Sequence, residues 1–155
     1  MKKNKEGIKH HFKSYINCYN LWSKLLMSQI KIYALNQTIS QFRPRLSEAI
    51  HQALVTSLAY PIEKKFQRFI PMEPENFVYP DDRSDHYVII EISMFEGRSI
   101  EAKQKLIQTI FSNIQNLCDI SPQDIEITIF ETPKNHWGIR GKNADELELN
   151  YHVNV

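Results

Sequence analysis

The sequence predicts an α+β fold laid out in α/β layers: a doubled β-α-β chain whose four-stranded sheet carries two helices on one face. Three observations lead there. The stretches Ile30 to Leu35, Tyr87 to Met94 and Ile125 to Phe130 are β-branched, and the first alternates apolar with polar at the period of a strand. Two apolar stripes at spacings of three and four, from Leu46 to Leu58 and from Ala102 to Leu117, have the period of amphipathic helices. The two halves also repeat: IKIYALNQTIS, LSEAIHQAL and KKFQRFI run in step with VIIEISMFEGRS, KQKLIQTIF and IEITIF. Each β-α-β crossover makes its strands parallel and lays its helix on one sheet face.

Residues 1–26 form a basic leader with six lysines against Glu6, and Phe12, Tyr15, Ile16, Tyr19, Trp22 and Leu26 fall at helical spacing. This leader reads either as disordered or helical, or as residues upstream of a true start at Met27; the domain is residues 27–155. After the first strand, Ser40 is expected to cap the first helix and Pro44 to sit in its first turn, where an amide hydrogen has no helical partner. The stripe Leu46, Ala49, Ile50, Ala53, Leu54 and Leu58 runs to about Ala59, and Tyr60-Pro61 stops it. Lys65 to Ile70 is a second short strand, and Pro71, Pro74 and Pro80 mark a long loop. In the second half Gly97 makes a turn, Ser99 caps a helix carrying Leu106, Ile110 and Ile114, and Ser121-Pro122 precedes the last core strand. Leu147, Leu149, Tyr151 and Val153 alternate in the tail, which suggests a fifth strand over 146–155. Ile30, Ile32, Val88, Ile90 and Ile92 are not expected all to face the helices, because Val88-Ile89-Ile90 is apolar at successive positions. The second sheet face then needs a partner to cover it.

At 155 residues with 42% hydrophobic and 24% charged side chains, the chain has the make-up of one globular domain. Outside the leader 13 basic residues stand against 17 acidic ones, so the domain lacks the basic footprint of a nucleic-acid binder. Cys18 and Cys118 give neither a disulfide framework nor a metal spacing, which points to a reducing, cytoplasmic setting. No apolar run reaches the roughly 18 residues of a membrane span. His136 and the group Asp81, Asp82, Asp85 and His86 have no regular ligand spacing and read as solvated turns, so no metal or cofactor is implied. His51, at the edge of its stripe, reads as a packed helix histidine.

The order of several segments carries a family resemblance: the start Met27-Ser28-Gln29-Ile30-Lys31-Ile32, EAIHQALV with His51, KKFQRF, Arg83-Ser84-Asp85, FEGRSIEAKQ, CDISPQDIEITIFE and ETPKNHWGIRG with Trp137. Together they resemble the tautomerase superfamily, in the branch of malonate semialdehyde decarboxylase and the bacterial tautomerase proteins, from Met27 to about Gly141. The resemblance implies a homotrimer and proton transfer on a small 2-oxo acid or its enol. In the family an amino-terminal proline is the base or acid and arginines hold the substrate. Abstracting a proton beside a carbonyl calls for a base titrating near working pH and fixed cations for the enolate.

Carried over residue by residue, the proline's place falls to Ser28. A chain starting at Met27 would lose its methionine and expose a primary amine there, with an unperturbed pKa of about 7.7 to 8.0; a retained leader leaves a peptide nitrogen. The aspartate that activates water in the decarboxylase branch is replaced by Lys64, and of that branch's two arginines after the third strand Arg98 matches one while Phe95 or Glu96 takes the place of the other. Ser28 and Arg98 are thus the catalytic candidates, Arg98 holding a carboxylate at the turn before a capped helix. Arg68, Arg83 and Trp137 are the substrate-binding candidates, with the two arginines expected near the same edge. The alternative is a catalytically inactive trimeric homologue with a binding or structural role.

Overall fold

The computed structural model describes residues 27–147, so the leader and the strand expected over 146–155 lie wholly or mainly outside the described residues. Strand β1 spans Ser28–Leu35 and runs directly into helix α1, Asn36–Leu58; β2 is Gln67–Met72, β3 Val88–Phe95, helix α2 Ile100–Cys118 and β4 Ile125–Thr132. A two-residue hairpin, β5 (Gly138–Ile139) with β6 (Lys142–Asn143), closes the described chain. It was not anticipated from the sequence. No helix among the described residues is long and apolar enough to cross a membrane.

The sheet has the order β2-β1-β3-β4, with β1 parallel to β2, β3 parallel to β4, and β1 antiparallel to β3. The two β-α-β units are therefore related by an approximate two-fold axis between the central strands. Both helices lie on one face and touch each other: Asn113 donates to the Ala49 carbonyl at 3.0 Å, and Ser57 donates to the Thr109 hydroxyl at 3.3 Å. The core between sheet and helices holds Ile30, Ile32, Val88, Ile90 and Ile92 with Leu46, Ile50, Leu54, Leu106, Ile110 and Ile114. All five strand residues point at the helices, contrary to the expected split. The alternate positions on the other face are mostly polar, with Gln29, Lys31 and Tyr33 on β1 and Glu91 and Ser93 on β3. There Lys31 pairs with Glu91 at 3.2 Å and the Tyr33 hydroxyl donates to the same carboxylate at 3.1 Å. Ile70, Ile89 and Phe130 are apolar exceptions, joined at the strand ends by Leu35, Met72 and Phe95, so the alternation of β3 breaks at Ile89 and again at Phe95.

Helix α1 begins four residues before Ser40, without a side-chain cap, and Pro44 lies in its interior. The reason is burial. Ile39 and Phe42 extend the stripe of Leu46, Ala49 and Ala53 backwards by two turns, and burying each is worth about 1.5–3 kcal/mol, enough to offset an interior proline's cost of about 3 kcal/mol. Thr38 anchors this early turn by donating to the Asp85 carbonyl at 2.6 Å. Helix α2 does start as expected, with the Ser99 hydroxyl accepting from the Ala102 amide at 3.1 Å. Left-handed residues Ala59 and Asp119 end the two helices.

Candidate active site

The register of the central strands brings several segments to one end of the sheet. Ser28 stands opposite Met94, and Met94 opposite Glu131, so the first residue of β1 and the end of β4 lie in one cross-strand row on the helix side. The turn after β3 returns over this row, with Gly97 at φ 111° making the reversal and Arg98 following it. From the other side the end of α1 delivers Tyr60.

Ser28 is fully buried. Its nitrogen donates to the Tyr60 hydroxyl at 3.4 Å, and its own hydroxyl oxygen has no hydrogen-bond partner. Arg98 is 7% exposed, and its Nη1 donates to the Phe95 carbonyl at 2.9 Å, which clasps the turn. Burial pushes the Arg98 guanidinium down from its ordinary range, while the Glu131 carboxylate and Tyr60 hold it up. Burial pushes the Tyr60 phenol up, against the opposing effects of the Ser28 amide and the Arg98 charge. Glu131 Oε2 accepts from Lys103 at 2.6 Å, and its Oε1 is buried with no partner. Arg98 and Lys103 against Glu131 leave this end with a surplus positive charge, so a buried anion is what it is suited to hold.

Two more side chains border the group. Trp137 donates from Nε1 to the Thr132 hydroxyl at 2.6 Å and sets its ring edge-on to Phe95, 5.0 Å between centroids, so it lies beside the residue that Arg98 clasps. His51 is buried, with Nε2 2.7 Å from the Ile62 carbonyl and its ring edge-on to Tyr60 at 6.4 Å. A carbonyl only accepts, so the His51 proton is on Nε2, and the buried Nδ1 lacks a partner.

The two other arginines are placed differently from the expectation. Arg68 is exposed on the sheet face away from the helices, donating to Gln29 at 3.3 Å, one position along β1 from Ser28 but on the opposite side. Arg83 lies at the far end of the sheet, where β3 starts, paired with Asp82 at 2.8 Å and Glu126 at 3.6 Å and set over the Tyr87 ring. Sequence proximity to a strand placed it near an edge; the antiparallel β1–β3 pairing makes that the wrong edge. Lys64, whose amine burial pushes down, occupies the turn before β2. Among the described residues no three His, Cys, Asp or Glu side chains gather in a metal-binding group. Tyr60 and the Lys103–Glu131 pair were missed from the sequence. Tyr60 was legible only as part of a helix-stopping Tyr-Pro pair, although an aromatic hydroxyl at the strand-start end of a β-α-β unit was a usable signal.

A family model described as "Tautomerase enzyme" matches residues 64–140. The 2-hydroxymuconate tautomerase of Pseudomonas putida is 36% identical over 59 residues, which are 38% of this chain and 94% of that protein. The crystal structure of FG41 malonate semialdehyde decarboxylase inhibited by 3-bromopropiolate superposes with a TM-score of 0.64 at 28% identity, over 71% of this chain and 87% of that one. A fused 4-OT, described as an asymmetric trimer, has the same fold with a TM-score of 0.68 at 19% identity, over 77% of this chain and 98% of that one.

Proposed function

Since the chain belongs to the tautomerase superfamily, we propose that it performs keto–enol tautomerase-type proton transfer on a small 2-oxo acid or its enol, as a cytoplasmic homotrimer, with Ser28 as the base and Arg98 as the carboxylate clamp. The observation that carries this reading is the buried Ser28 nitrogen at an end of the sheet with surplus positive charge from Arg98 and Lys103. With a chain that begins at Ser28, that nitrogen is a primary amine. Its lone pair takes the proton of the enol hydroxyl as the carbonyl forms, and the resulting ammonium returns a proton to carbon. The product differs from the substrate only in the place of one hydrogen, so no oxidant or cofactor is required. Arg98 holds the carboxylate and stabilises the enolate charge, and Trp137, seated on the Phe95 ring, is a further substrate contact. Arg68 joins the substrate contacts only from the opposite sheet face, and Arg83 only from the far end, which makes both secondary.

A second reading, a catalytically inactive trimer with a binding or structural role, is favoured by one feature: when residues 1–26 are retained, Ser28 contributes a peptide nitrogen with no lone pair to offer. The intact mass of the protein made in its own host separates the two. A mature chain starting at Ser28 supports the enzyme, and a chain keeping residues 1–26 removes the amine. In a chain starting at Met27, Ser28→Pro is expected to raise the rate of ketonisation of an aryl or alkyl enolpyruvate, because a secondary amine is the stronger base. No gain would favour the inactive trimer.

A further inference from the structure

We propose that Tyr60 is a positioning residue for the Ser28 nitrogen, its phenol oxygen fixing the direction of that nitrogen's lone pair and favouring its protonated state. The proposal rests on the reading of Ser28 as a free amine. Its starting point is an interruption in the β1–β2 ladder. The Ile30 amide bonds to the Phe66 carbonyl at 3.0 Å, and pairing proceeds from Ile30 opposite Gln67. Upstream of Phe66 the chain leaves the sheet in a turn closed by the Lys64 amide on the Pro61 carbonyl, 3.1 Å, so β2 offers Ser28 no backbone acceptor. The Tyr60 hydroxyl takes that place from inside the core.

A phenol is an unusual substitute for a backbone carbonyl. It both accepts and donates, so while its oxygen holds Ser28 its proton is left for a second acceptor. The charged groups around it act in opposite directions. Arg98, on the turn after β3, and burial disfavour an ammonium at Ser28; the phenol oxygen, accepting from it, favours one, because a hydrogen bond to a charged donor is about twice as strong as a neutral one. Glu131 on β4, paired with Lys103 on α2, acts through Arg98, and His51 on α1, bonded through Nε2 to the Ile62 carbonyl, meets Tyr60 through its ring. Tyr60 is thus the neighbour that keeps the amine from titrating far below its ordinary range.

The test uses chain beginning at Ser28, with the terminus verified by mass, and Tyr60→Phe in the same form. The Ser28 amine is titrated by competitive labelling with acetic anhydride, which needs no activity. The expected result is that Tyr60→Phe lowers the amine's apparent pKa by about one unit, with the acid limb of any ketonisation profile moving with it and the melting temperature little changed. An amine titration unchanged by Tyr60→Phe overturns the proposal, including when the enzyme remains active. A lowered amine pKa in a protein without ketonisation activity upholds the role of Tyr60 and counts against the enzymatic reading alone. If Tyr60→Phe does not fold, Tyr60→His, which keeps an acceptor, gives the same comparison: it is expected to hold the amine nearer the wild-type pKa than Tyr60→Leu, and equal titration in those two overturns the proposal.

Discussion

A fully buried serine with an unpartnered hydroxyl, as Ser28 is, costs stability unless something occupies the space beside it. His51 Nδ1 and Glu131 Oε1, also buried without partners, border the same end of the sheet. Such residues mark where a polar guest fits better than a core. The placement of Ser28 at the start of β1 and of Arg98 in the turn before α2 was legible in the sequence, because each sits in a motif whose offset from a strand is fixed. Tyr60 was not, because its role comes from a ladder that ends two residues early, which no local pattern records. Tyr87 at the other end supplies a pH prediction. Burial, then its hydrogen bond to the Glu126 carboxylate and that carboxylate's charge, push its phenol up to about 12 from an ordinary 10.0, with Arg83 opposing. A folded-state value above the unfolded one means that the stabilisation is full below pH 10 and is lost as pH rises towards 12. Denaturant unfolding across that range is expected to show a fall in stability, shallower in Tyr87→Phe than in the wild type.

At the scale of elements, the two helix starts make a paired experiment. Ser99 accepts from the Ala102 amide and caps α2, whereas Ser40 is an exposed residue within α1. Ser99→Ala is expected to lower stability by about 1 kcal/mol and Ser99→Gly by only a few tenths. Ser40→Ala should leave the denaturant midpoint nearly unchanged; an equal loss in both would place the start of α1 at Ser40 after all. The strands and helices were readable because their periods match their burial, and their ends were not. Strand β2 was expected over Lys65 to Ile70 and runs instead over Gln67–Met72, since Phe66 already turns out of the core, 41% exposed, while Pro71 at a sheet edge has no inward partner for its missing hydrogen. The start of α1 was misplaced for a similar reason: Ser40 and Pro44 are strong local signals, and the burial of Ile39 and Phe42 outweighs them.

For the whole molecule, the face away from the helices is the surface on which the proposed trimer is to be tested. Its ion pairs and hydrogen bonds are satisfied within one chain, so cover is demanded by fewer residues than the sequence suggested: Ile70, Ile89 and Phe130, the last 46% exposed. Ile62 at 76% and Ile100 at 65% exposure add apolar surface at the Ser28 end. Sedimentation is expected to give three chains per particle, and Phe130→Lys to shift the protein towards single chains; a trimer indifferent to that change would place its contacts elsewhere. A case for an oligomer could be argued from sequence, but which residues would call for cover required the register, because one misjudged strand face reassigns every side chain on it.

The approximate two-fold axis between β1 and β3 has a further meaning. The Pseudomonas relative aligns over 59 residues, 94% of its length but 38% of this chain, and this chain holds two β-α-β units. In a protein built from separate copies every unit begins with its own terminus, but joining two of them leaves β3 with an interior start. The position equivalent to Ser28 is then sealed for good, and its neighbourhood is taken over by the Tyr87, Phe77 and Tyr79 rings and the Arg83 ion pairs. A chain with two such units has one amino terminus for the pair, so tolerance to mutation is expected to differ between the two halves despite their matching pattern.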